Sequence, residues 1–109
     1  MDLQLAGKKA LVTGSTRGIG LAIAERLAFE GAEVAIGARS SNTVNDTVKA
    51  LEAKGAKAWG QSVDVKDATA LRGWVESAGN ALGGIDILIP NASALSFGPS
   101  VEEIGRAHV

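Results

Sequence analysis

Thr13-Gly14-Ser15-Thr16-Arg17-Gly18-Ile19-Gly20 is the most informative stretch of the chain. Lys9-Ala10-Leu11-Val12-Thr13 leads into it as a short apolar run that ends at Gly14, the pattern of a strand buried on both faces. Beyond it, Ile19, Ala22, Ile23, Ala24, Leu27 and Ala28 recur at helical spacing, and Gly31 closes the segment as a C-cap. A buried strand therefore turns into a helix through a glycine loop. Gly14 permits the sharp exit, Gly18 leaves the backbone open to close approach at a position where the helix itself should tolerate a side chain, and Gly20 lets the helix lie tightly on the strand. The first-turn N–H groups of such a helix have no internal partners. With the helix dipole they make an anion site.

The same alternation continues outward. Glu33 to Gly37 reads as a second strand, and Asn42 to Lys54 as a polar-faced helix with Val44, Val48 and Leu51 inward, stopped at Gly55. A third strand lies within Lys57 to Val65, a third helix runs from Asp67 to Leu82, and Gly83-Gly84 turns into a fourth strand, Ile85 to Ile89. Strands alternating with helices predict a parallel sheet with right-handed crossovers. The expected fold is α/β, a doubly wound parallel sheet of which only the first half is present. Its first strand should lie between the second and fourth, with the switch point beside it. Past Asn91 the chain reads as loop, with a helix beginning near Ser100. No internal repeat or low-complexity segment is visible.

Bulk properties narrow the function classes. The 109 residues allow one domain. The net charge is −1 and the basic residues are scattered, which argues against a nucleic-acid or membrane-surface partner. There is no cysteine, so disulfides and thiolate metal sites are excluded, in keeping with a reducing compartment. No apolar run approaches the roughly 20 residues that span a bilayer, and the N-terminus lacks a signal-peptide pattern. A cytoplasmic protein is the expectation.

The spacing G-x-x-x-G-x-G after Thr13 resembles the short-chain dehydrogenase/reductase family, as do two further motifs in order. The resemblance covers about residues 5 to 103 and implies a Rossmann-type nucleotide-binding domain. It also implies an oxidoreductase that interconverts a carbonyl and an alcohol, with a small-molecule substrate and a homo-oligomeric parent. Carried onto this sequence, the family's cofactor loop falls on Gly14, Ser15, Thr16, Arg17, Gly18, Ile19 and Gly20. Asp64-Val65 matches the pair that contacts adenine. Asn91 and Ala92 match the second and third positions of an Asn-Asn-Ala-Gly motif, where the family contacts the nicotinamide-side ribose and steadies the sheet. Enzymes of this kind that use NAD place an acidic residue near the end of the second strand. Here that position holds Ala38, followed by Arg39. A neutral residue and then a guanidinium suit a 2′-phosphate, with Arg17 as a second basic group and Ser40 and Ser41 as hydroxyl donors. The expected cofactor is NADP(H), with NAD(H) as the lesser alternative.

Two departures and one omission stand out. Pro90 replaces the first Asn of the motif and removes a backbone donor, tolerable where a strand leaves its ladder. Ser93 replaces the Gly, which implies a negative φ there. The family's acid is a Tyr, assisted by a Lys and a Ser, and the chain contains no tyrosine. No catalytic residue is therefore assigned, Ser96 and Ser100 lying too early to serve. Trp59 and Trp74 read as packing residues. His108, the single histidine, and the pair Glu102-Glu103 are given no chemical role. Ile104 to Val109 can be encoded, after the Glu103 codon GAG, by ATC GGA AGA GCA CAC GTC. From the second base of GAG onward this is a widely used sequencing adapter. The expected division is a truncated nucleotide-binding domain over 1–103 and a non-native tail over 104–109. A non-catalytic nucleotide-binding module stays open as an alternative, while a methyltransferase is disfavoured by Ala38-Arg39.

Overall fold

The computed structural model describes residues 5–91, so Ala92, Ser93, the serines at 96 and 100, His108 and the 104–109 tail lie outside the described residues. Among the described residues four strands and three helices alternate: β1 (Lys9–Thr13), α1 (Gly18–Phe29), β2 (Glu33–Ala38), α2 (Ser41–Ala53), β3 (Ala58–Ser62), α3 (Ala68–Leu82) and β4 (Ile87–Ile89). The sheet order is β3-β2-β1-β4, with every pair parallel. The expected half of a doubly wound sheet is what forms, with β1 between β2 and β4.

Alternation of side chains sorts the strands into two cores. Ala10, Val12, Val34 and Ile36 face one side, where they meet Ala24 of α1 and Val44 and Leu51 of α2. Leu11 and Ala35 face the other and pack against Trp74 and Ala78 of α3. Full burial of each large apolar side chain contributes about 1.5–3 kcal/mol, so β1 and β2 carry much of the stability. Trp59 and Trp74 belong to the second core, with ring centroids 6.4 Å apart.

Element ends follow local chemistry. Ser40 accepts from the Thr43 N–H and caps α2. Asp67 accepts from the Thr69 and Ala70 N–H groups and caps α3, so the helix proper begins one residue later than the sequence pattern implies. β4 is shorter than expected, at three residues. The Asp86 N–H donates to the Lys9 carbonyl at 2.8 Å and the Asp86 carboxylate accepts from the Lys9 N–H at 2.9 Å. This side-chain bridge occupies the position where Asp86 would otherwise enter the regular ladder.

Candidate functional site

The strands are parallel, so the carboxyl ends of β1, β2 and β4 share one edge of the sheet. The chain leaves β1 toward the α1–α2 side and reaches β4 from the α3 side. The crevice between these departures is the switch point where open α/β sheets bind ligands.

The glycine loop occupies that crevice and is tied on both flanks. Asn91, just past β4, donates from its backbone to Thr13 Oγ1 at 3.1 Å and from Nδ2 to the Gly14 carbonyl at 3.0 Å. Asn91 thus ties the end of β4 to the end of β1 and to the glycine loop. Pro90 sits one residue past β4, where the missing N–H costs no ladder bond. On the other flank, Ser15 is fully buried. Its hydroxyl donates to the Val12 carbonyl at 2.8 Å and accepts from the Gly37 N–H at 3.0 Å, while its own N–H donates to the Gly37 carbonyl at 3.3 Å. Ser15 therefore braces the loop against β2, and its donors point into the protein. Gly20 closes the assembly: a Cβ there would lie 2.0 Å from the Gly14 carbonyl oxygen.

The mouth of the loop has a different character. The N-cap of α1 is Arg17, whose side chain makes no capping bond, and the first turn holds no acidic residue. α2 and α3 each have a side-chain cap, whereas among the described residues α1 has none, so no capping side chain competes for its first-turn N–H groups. A Cβ built on Gly18 meets nothing within 4 Å, so the space beside it is open. Thr16 is half-buried, and Arg17 and Ile19 are exposed, Ile19 by 71%. These features fit a bound pyrophosphate: donors aimed outward, room for close approach and no competing carboxylate.

Arg39 is exposed just past β2, after a half-buried Ala38. Among the described residues neither Arg39 nor Arg17 takes part in an ion pair. Past β3, the Val63 N–H donates to the Ala38 carbonyl at 2.8 Å, which keeps the chain beside the end of β2. Asp64 follows, exposed, with one carboxylate oxygen accepting from the Lys66 N–H at 3.0 Å. Val65 is half-buried against the Trp74 core. Ala92 lies outside the described residues. Among those described there is no cluster of three metal-ligating side chains.

Sequence reasoning missed one element of the site, the backing of β2. A Cβ on Gly37 would lie 2.7 Å from the Trp74 indole, so the ring packs directly on the strand at the residue Ser15 holds. The available signal was a glycine inside an apolar strand, which marks a close approach by other groups.

The family model for short chain dehydrogenases matches residues 8–106. This chain belongs to the short chain dehydrogenase family. It is 47% identical over 93 residues to Dehydrogenase/reductase SDR family member 4 of Oryctolagus cuniculus, covering 85% of this chain and 36% of that protein. Among solved structures it resembles L-sorbose reductase from Gluconobacter frateurii, complexed with NADPH and L-sorbose. That likeness has a TM-score of 0.80 at 40% identity, covering 85% of this chain and 36% of the other. A short chain dehydrogenase from Burkholderia cenocepacia in complex with NADP superposes with a TM-score of 0.73 at 47% identity, covering 77% and 35%. The chain spans little more than a third of each of these relatives.

Proposed function

We propose that this chain is the NADP(H)-binding portion of an oxidoreductase that interconverts a carbonyl and an alcohol by hydride transfer. The carrying observation is Ala38-Arg39: the end of β2 lacks the acidic residue suited to a free ribose, and the exposed Arg39 that follows forms no ion pair among the described residues. The structures complexed with NADPH and NADP support the reading.

In it, the α1 N-terminus and the open backbone at Gly18 hold the pyrophosphate. Arg39 and Arg17 bind the 2′-phosphate, Asp64 and Val65 meet the adenine, and Asn91 and Ala92 lie toward the nicotinamide ribose. Asn91 also keeps β4 and the loop in register. A bound dinucleotide would give up the hydride in carbonyl reduction and accept it in alcohol oxidation. NAD(H) binds more weakly, because Arg39 then faces a hydroxyl in place of a dianion.

Fluorescence titration of NADPH and NADH tests this. Arg39→Ala should weaken NADPH binding by about 1–3 kcal/mol, the range for hydrogen bonds to charged groups, and leave NADH nearly unchanged. Equal losses for both would assign Arg39 to support of the loop.

A second reading, a non-catalytic nucleotide-binding module, is favoured by one observation, the absence of tyrosine. On either reading the 109 residues alone turn over no substrate, since they offer no phenol to protonate an alkoxide. Source DNA reading on past codon 103 into a Ser and a Tyr-x-x-x-Lys supports the enzyme. A genomic stop codon after Val109 supports the module. The same DNA decides whether 104–109 is foreign; the codon match is its sole support, and the family match runs on to residue 106.

A further inference from the structure

We infer that Ser15 is a positioning residue, a buried brace that sets the spacing between the pyrophosphate loop and the 2′-phosphate site at the end of β2. The inference rests on the NADP(H) reading above and adds a role to a residue that touches no cofactor through its side chain.

β1 pairs with β2 in register up to Thr13 and Gly37. There β1 ends, because Gly14 turns the chain out of the sheet at a φ of 60°. Without a further link, the loop and the end of β2 would separate at the point where both approach the ligand. Ser15 supplies that link from inside. It joins β1 to β2 through the bonds to Val12 and Gly37, with no exposed surface.

The brace has a matched geometry. Arg17 lies two residues beyond Ser15, and Arg39 two residues beyond Gly37. The two guanidiniums are thus carried on two chain segments that diverge from one hydrogen-bonded pair. Gly37 is fixed from the face of the sheet as well, by Trp74. β2 is thus held at Gly37 on its edge by Ser15 and on its face by the indole.

A ligand that engages both anchors gains from their fixed separation, as any two-point ligand gains when its sites are held at the matching span. A ligand that engages one anchor does not. Loss of the brace should therefore penalise a bridging ligand selectively, whereas a loss of fold would weaken every ligand.

The experiment uses three probes on the full chain: adenosine 2′,5′-bisphosphate, which reaches both anchors, and 5′-ADP and 2′-AMP, which each reach one. Ser15→Ala should lower affinity for the bisphosphate about tenfold and change the other two by less than about twofold. Ser15→Cys keeps a weak donor and acceptor in place and should show a smaller loss of the same pattern. It carries the comparison if Ser15→Ala fails to fold. Leu51→Ala, in the core beneath α2, serves as the stability control and should lower Tm without altering the ratio among the probes. Uniform loss across the three probes, or an unchanged bisphosphate affinity, overturns the brace. If the unmutated chain binds 5′-ADP as tightly as the bisphosphate, the NADP(H) reading falls and the brace falls with it. A discriminating wild type with an indifferent Ser15 variant sinks the brace alone.

Discussion

Gly18 shows how a residue can be legible in its type and hidden in its conformation. The sequence places it where a side chain would intrude on a pyrophosphate, and on sequence grounds the helix should tolerate one. The open space beside it agrees with the first point. Its φ of 61° corrects the second: the residue lies in the left-handed region, where a side chain is strained whatever the space. Gly18→Val therefore mixes two effects. Gly18→Asn separates them, because Asn tolerates that region. We expect Gly18→Asn to lose NADPH affinity by about tenfold or more, about 1.4 kcal/mol, while keeping a near-native Tm. Gly18→Val should lose both. Normal NADPH binding by a folded Gly18→Asn protein would remove Gly18 from the cofactor site. Ser15 teaches the complementary lesson. Its place in the loop suggests a phosphate donor, and only the structure shows its hydroxyl and N–H turned toward β2.

At the scale of elements, the strand–helix order was readable because short apolar runs and stretches of helical period alternate along the chain, divided by glycines. The ends were less so, since side-chain bonds such as those of Asp67 and Asp86 decide them. One such bond also gives the β1–β2 pair a pH dependence. Lys9 Nζ contacts Glu33 Oε2 at 2.6 Å at the start of both strands, where the two residues are in register. That hydrogen bond holds the Glu33 carboxyl below its ordinary value of 4.5; desolvation works against it, and the charges of Lys9 and Lys57 add to it. A carboxylate with a lowered folded-state pKa stabilises fully above its unfolded pKa. The contribution is lost as pH falls through the folded value. The advantage of wild type over Glu33→Gln in urea midpoint should thus be level between about pH 7 and pH 5.5 and shrink below about pH 4.5. An advantage that persists undiminished at about pH 3 would show that the pair does not set stability.

For the whole molecule, the decisive feature is the unequal covering of the sheet. α1 and α2 cover one face, and α3 packs on β1, β2 and β3 of the other. The sequence of β4, Ile87-Leu88-Ile89, is that of a strand buried on both sides. Yet Leu88, on the α3 face, is 51% exposed, and nearby Ile85 is 46% exposed. Among the described residues β4 pairs only with β1. Among the described residues β4 is thus an apolar strand open on one face and one edge, a template for association. The 109-residue chain in isolation should therefore self-associate, with sedimentation coefficients that rise with concentration in the micromolar range. Burial of one large apolar side chain is worth about 1.5–3 kcal/mol, so Leu88→Lys should weaken association about tenfold or more. The exposed charge should leave the far-ultraviolet circular dichroism unchanged, because Leu88 contributes little to either core. A chain that sediments as a monomer at about 100 µM, with or without the lysine, would show that β4 is protected by residues beyond Asn91.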